Sequence, residues 1–197
     1  MRDLGQMGES TFSLWCGQAG LTANGSYLDR TGWDFIVEFP FAKSTDPTQL
    51  HAPAIECKIQ VKATDKTDRK LPIKLSNLRR LITAPMPAFF IFIEFDGQDV
   101  AQRAYLVHVD EGLISKTLKR IHELESVSEL FDHHKRSLTV HYGLEHEVPS
   151  LTGDSLRQMI EEYVSNGMSA YLANKSRHLE STGFENGFAQ ITISTVG

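Results

Sequence analysis

The chain has 197 residues, enough for one substantial core and marginal for two. Apolar residues make up 41% and charged residues 23%, which excludes wholesale disorder and collagen-like architecture. No run approaches the ~20 apolar residues of a membrane helix, and the net charge of −5 argues at first against a polyanionic ligand.

Residues Gly8 to Ala19 carry Phe12, Leu14, Trp15 and Cys16 at helical spacing, with Gly20 as the stop, so a first amphipathic helix is expected. Glu9 is expected in its first turn, where the helix dipole favours a carboxylate. The N-terminus has no secretory h-region, so the two cysteines, Cys16 and Cys57, are expected as reduced, packed thiols in a cytoplasmic protein. A turn around Ala23-Asn24-Gly25-Ser26 leads into Gly32-Trp33-Asp34-Phe35-Ile36-Val37-Glu38-Phe39, which reads as a strand with a carboxylate near its start. Pro40 to Pro53 reads as a polar loop bounded by prolines.

In Ile55-Glu56-Cys57-Lys58-Ile59-Gln60-Val61-Lys62, the period of a strand sends Ile55, Cys57, Ile59 and Val61 to one face. Glu56, Lys58, Gln60 and Lys62 go to the other. An amphipathic edge strand would show the same alternation. If this strand pairs with the preceding one, Asp34 can face Gln60 and Lys62; an acid, an amide oxygen and an ammonium on one surface suit a hard divalent cation and a phosphate ester. Between Lys58 and Arg80 eight basic residues stand against two acids, a local +6 that leaves −11 to the rest. Ala63 to Lys70 is expected as a mobile, solvent-facing loop.

Leu75 to Ala84 reads as a short helix with Ser76 as its N-cap, and Ala88 to Phe95 as a fully buried strand. Asp96-Gly97 signals a turn into a partner strand, Arg103 to Val109. Helical spacing follows from Glu111, a strand over Ser137–Tyr142, one long helix over Ser155–Lys175 with Gly167 its weak point, and a terminal strand over Phe188–Ile193. The expected architecture is α/β, a mixed central β-sheet flanked by helices. A core is expected over 1–110, with a helical and strand extension over 111–197 that packs on it and is expected to lead into a further domain. His133-His134 with Asp132, standing before Lys135-Arg136, read as an exposed loop rather than a zinc site, and His141 and His146 lack partners at ligand spacing. Walker and nucleophile-elbow motifs do not occur.

Glu9 on a first helix, Gly32-Trp33-Asp34 opening a strand and Gln60-Val61-Lys62 on a following strand resemble, over about residues 7–110, the PD-(D/E)XK restriction-endonuclease-like superfamily. The branch they resemble has glutamine in the first motif position, as in Mrr-like bacterial defence nucleases. The resemblance implies Asp34 and Gln60 as ligands of Mg²⁺ or Mn²⁺, Lys62 as the residue that positions or activates the attacking water, and Glu9 as an added acid. Glu56-Cys57-Lys58 also fits E-x-K, so Glu56 and Lys58 stand as an alternative pair. The implied activity is cleavage of double-stranded DNA as the effector of an antiphage or restriction system. Lys66, Arg69, Lys70, Lys74, Arg79 and Arg80 are the expected nucleic-acid contacts, and the chain is expected as a homo-oligomer or tethered to a sensor. The alternative is a catalytically silent binding or assembly module.

Overall fold

The computed structural model describes residues 2–26, 32–41, 50–126 and 135–182. The residues expected as a terminal strand, the histidines at 133 and 134 with Asp132, and much of the proline-bounded loop lie outside this set. Among the described residues, no helix is long and apolar enough to cross a membrane.

Helix α1 spans Leu4–Gln18 and begins earlier than Gly8 because Asp3 caps it, accepting the Gln6 N–H at 3.0 Å. Glu9 therefore stands in the second turn, and the first holds no acid. Gly8, Phe12, Trp15 and Cys16 form the buried stripe of this helix. A short strand β1, Thr22–Gly25, replaces the expected turn and pairs antiparallel with β2, Phe35–Glu38. Strand β3, Glu56–Thr64, is antiparallel to β2 and parallel to β5, Ala88–Glu94, which pairs antiparallel with β6, Arg103–His108. The result is a mixed five-stranded sheet in the order β1-β2-β3-β5-β6. Strand β5, buried along its whole length, needs apolar side chains on both faces, and Phe89 to Ile93 supply them.

Each face of the sheet carries its own apolar cluster. Cys57, Ile59, Val61, Phe89 and Ile91 meet α1 and the later helix α4, Gly153–Tyr163, on one side. Phe90, Phe92, Tyr105 and Val107 meet α2, Leu75–Ile82, and α3, Glu111–Glu125, on the other. Over that second face lies a separate two-stranded sheet made by β4, Lys70–Lys74, and β7, Ser137–His141. Helix α4, Gly153–Tyr163, and helix α5, Met168–Ser181, occupy the stretch expected as one helix. The break falls at Gly167, whose φ of 83° is left-handed. Helix α2 starts at Leu75 and has no side-chain cap, so Ser76 does not serve as one. The described part of residues 111–182 contributes Ile114, Val140, Leu156 and Ile160 to the two clusters and so packs on the sheet.

Candidate active site

The ladder between β2 and β3 runs from Glu38 opposite Glu56 to Phe35 opposite Ile59. At that end the N–H donated to the Ile59 carbonyl comes from Asp34, at 2.8 Å, although Phe35 is the register partner. Asp34, just ahead of β2, and Phe35 thus both face Ile59 of β3, the geometry of a β-bulge, which bends a strand and re-aims a side chain. The odd-numbered residues of β3 direct their backbone groups toward β2, so the Val61 N–H would be left without a strand partner beyond the bulge. The Asp34 carboxylate takes it instead: Val61 N–H donates to Asp34 Oδ2 at 2.6 Å. This puts the acid beside the residue that separates Gln60 from Lys62.

Gln60 and Lys62 alternate onto the face that carries Phe90 and Phe92, their partners on β5. Gln60 is 3% exposed and its Oε1 has no hydrogen-bond partner. A buried, unsatisfied acceptor costs about 1–3 kcal/mol unless something fills its need. Lys62 is half-buried and opens into a pocket of about 300 Å³ that Lys66, Lys70, Asp68, Phe92 and Tyr142 also line. Three ammonium groups against one carboxylate make this pocket electropositive. Its wall is the Phe92–Tyr142 stack, with ring centroids 4.2 Å apart. Burial and the nearby Glu94 and Asp68 carboxylates raise the Tyr142 hydroxyl to about 12.

The structure separates the two lysine pairs of β3. Glu56 is exposed at the start of the strand, opposite Glu38, and is roughly 16 Å of extended chain from Val61. Lys58 lies under α2, its Nζ 5.5 Å from the centre of the Trp33 ring. Burial, and then the charge of Arg80, lower its pKa. Gly32, which precedes Trp33, has a φ of 74° and lies so close to α2 that an added Cβ would sit 3.1 Å from the Asn77 Cα. Only glycine permits both the conformation and the approach. The Gly32-Trp33-Asp34 turn is therefore seated on α2 before it delivers the acid to β3. Trp33 is a residue whose role the alternation of β3 did not reveal, because it packs through the tertiary contact.

Helix α1 crosses β3 on the opposite face. Gly8 allows the approach, since a Cβ there would stand 2.8 Å from the Ala63 Cβ and 3.3 Å from Val61 Cγ1. Glu9 is the next residue and is exposed. The acid proposed for metal binding thus starts from the α1 side of the sheet, while Gln60 and Lys62 occupy the α2 side.

The basic run is built from three different elements, and the stretch expected as a mobile loop is short and tied down. β3 continues to Thr64 and β4 starts at Lys70. Between them, Asp65 accepts the Gly97 N–H at 2.9 Å and pairs with Arg2 at 3.2 Å. Lys66 and Lys70 are exposed around the Lys62 pocket, and Lys74 is exposed at the end of β4. Arg80 and Arg79 are on the outer side of α2, with Arg79 3.9 Å from Glu125. Arg69 turns inward at a φ of 49°, its guanidinium 5.2 Å from the centre of the buried Tyr105 ring. Beneath it lies Glu94, fully buried, 3.7 Å from Arg103 and 3.4 Å from the Tyr105 hydroxyl. In the sequence Glu94 merely interrupts a greasy run; here it is buried against Arg103 and the Tyr105 hydroxyl.

Among the described residues, no group of three or more histidine, cysteine, aspartate or glutamate side chains gathers to hold a metal. The candidate set mixes one carboxylate with one amide. The orphaned Gln60 oxygen and the Asp34 carboxylate are the hard donors Mg²⁺ accepts, and Mg²⁺ commonly binds through one or two carboxylates while keeping several waters. The donors fit the ion, and the single negative charge predicts modest affinity. Comparison of the chain with protein-family models and with curated proteins finds no match to either.

Proposed function

We propose that this chain is a divalent-cation-dependent endonuclease domain that hydrolyses DNA phosphodiester bonds, the effector of a bacterial antiphage or restriction system. The observation that supports this reading is the Asp34 carboxylate fixed on the Val61 N–H at 2.6 Å, between Gln60 and Lys62. Asp34 is oriented by that hydrogen bond and by the bulge, which limits the reorganisation the carboxylate needs on meeting a ligand. Gln60 adds a neutral oxygen from a buried position, where competing water is scarce. Mg²⁺ or Mn²⁺, when bound, supplies Lewis acidity to a phosphate oxygen and acidity to a coordinated water. Lys62, half-buried among other ammonium groups, places positive charge where charge develops on the phosphorane and orients the attacking water. Lys66 and Lys70 extend the positive surface toward flanking phosphates.

The test is nicking of supercoiled plasmid by the purified chain with Mg²⁺ or Mn²⁺, set beside Lys62→Ala and Lys58→Ala. Lys62→Ala is expected to lower cleavage by ~10²-fold or more with folding and DNA binding nearly unchanged. Cleavage retained in that variant and lost in Lys58→Ala would move the site toward Glu56.

A second reading, a catalytically silent nucleic-acid-binding or assembly module, is favoured by the single carboxylate of the described donor set. Calorimetric titration with Mn²⁺ separates the two: the silent module binds DNA equally with and without metal and gives no saturable metal isotherm.

A further inference from the structure

A second cavity, of about 200 Å³, lies between the end of β6, the first turn of α3 and the junction of α4 with α5. It is not part of the Lys62 pocket, and the cleavage reading makes no use of it. Its chemistry centres on Lys175, 6% exposed, whose Nζ donates to the Met86 carbonyl at 3.1 Å. Among the described residues no carboxylate lies within ion-pair distance of that nitrogen. An ammonium has three N–H donors, so two remain beyond the Met86 bond.

A buried cation lacking a counter-ion costs stability, and the nearby Lys58 adds to the cost. Burial, and then the Lys58 charge, lower the Lys175 pKa to about 8. The group still carries its charge over most of its population at neutral pH. Asp110, exposed at the cavity, caps α3 through Oδ1 by accepting the Leu113 N–H at 2.8 Å, and its charge acts on His108, Tyr163 and Tyr171. Glu111 is 74% exposed at the rim.

Three rings share the rest of the lining with Val109, Ile114, Val164, Asn166, Gly167 and Asn174. The Tyr163 ring lies 4.6 Å from that of His108, and the Tyr171 ring 5.7 Å from it. His108 Nε2 and the Tyr171 hydroxyl are 2.7 Å apart, so each satisfies the other. Burial, helped by Lys175 and opposed by Asp110, lowers the His108 pKa to about 4, which leaves Lys175 as the cation of the cavity at neutral pH.

We propose that this cavity is a binding site for a small aromatic carboxylate, its anionic head on Lys175 and its ring among His108, Tyr163 and Tyr171. The size fits, since a dry cavity of about 150 Å³ accommodates a benzene ring. A single negative charge suits one ammonium with Asp110 and Glu111 at the edge, and a dianion does not.

The experiment is calorimetric titration of the full chain at neutral pH with benzoate, with benzamide as the neutral isostere and phenyl phosphate as the dianionic one. Saturable binding of benzoate, weakened about tenfold or more in benzamide and in Lys175→Met, is expected. Asn174→Trp, a change at an exposed position of the lining, should block binding with the circular dichroism spectrum unchanged, which guards against misreading a folding defect in Lys175→Met. Lys62→Ala should bind benzoate as wild type does. Absence of saturable benzoate binding, equal binding of benzamide, or full binding by both Lys175→Met and Asn174→Trp would overturn the proposal. Tighter binding of phenyl phosphate would overturn the choice of head group.

Discussion

Asp34 does two things that one substitution can separate. Its carboxylate satisfies the Val61 N–H, which the bulge leaves without a strand partner, and it is the acid that stands beside Gln60 and Lys62, while Glu9 starts from the α1 side of the sheet. Asp34→Asn keeps an oxygen acceptor and removes the charge. Thermal melting of that variant is expected near wild type, with plasmid nicking abolished. Asp34→Ala removes both, and leaving the buried donor unsatisfied is expected to cost about 1–3 kcal/mol by urea denaturation. Equal stability of the two variants would mean that the hydrogen bond contributes nothing. The thiols at Cys16 and Cys57 are free and buried, and burial raises both out of the reactive range, Cys16 to about 12.

Two glycines set how closely elements approach the strand that carries the site. Gly8 brings α1 onto β3 at Val61 and Ala63, and Gly153 brings the start of α4 against α1, where a Cβ would stand 2.0 Å from the Trp15 carbonyl oxygen. Backbone cannot give way as a flexible side chain can, so Gly153→Ala is expected to unfold the chain or displace α4, visible as lost near-ultraviolet dichroism from Trp15. Gly8→Ala presses on the Ala63 Cβ, which has no rotamer to change, so α1 or β3 has to shift, at an expected cost of about 1–3 kcal/mol. If it also lowers nicking more than stability accounts for, the spacing between α1 and β3 matters to the site. Gly167 separates α4 from α5 at φ 83° and ψ 158°, a region held almost only by glycine, and Gly167→Ala is expected to cost about 1–3 kcal/mol by the same denaturation assay.

Over the whole molecule, His108 links the stability of the fold to pH. Its folded pKa, about 4, is below the ordinary 6.5, so between these values the unfolded chain binds the proton that the folded chain refuses. The stabilisation is complete above pH 6.5 and is lost as pH falls toward 4, by at most about 3 kcal/mol. His108→Asn is expected to show a shallower fall of unfolding free energy across that window than wild type. Lys175 acts at the other end: depressed from 10.5 to about 8, it makes stability rise as pH increases through that interval. Lys175→Met removes that rise.

Local pattern alone was enough for the strands β3, β5 and β6, because a period of two and a fully apolar run report burial directly, and for the order of Asp34, Gln60 and Lys62 along the chain. Helix α1 was legible from its stripe, although its start was not, since Asp3 is marked as a cap only by the hydrogen bond it accepts. Folding in three dimensions supplied the remainder. The parity of β3 assigned Lys58, Gln60 and Lys62 to one face, but the bulge at Asp34 singled out the stretch around Val61. Tertiary contacts also sent Arg69 inward over Tyr105, split the +6 run among β3, β4, α2 and a tethered turn, and gathered Lys175 with His108 from positions 67 residues apart. Side-chain period is a property of neighbours along the chain, whereas a hydrogen bond from residue 61 to residue 34 depends on where two distant segments stop pairing.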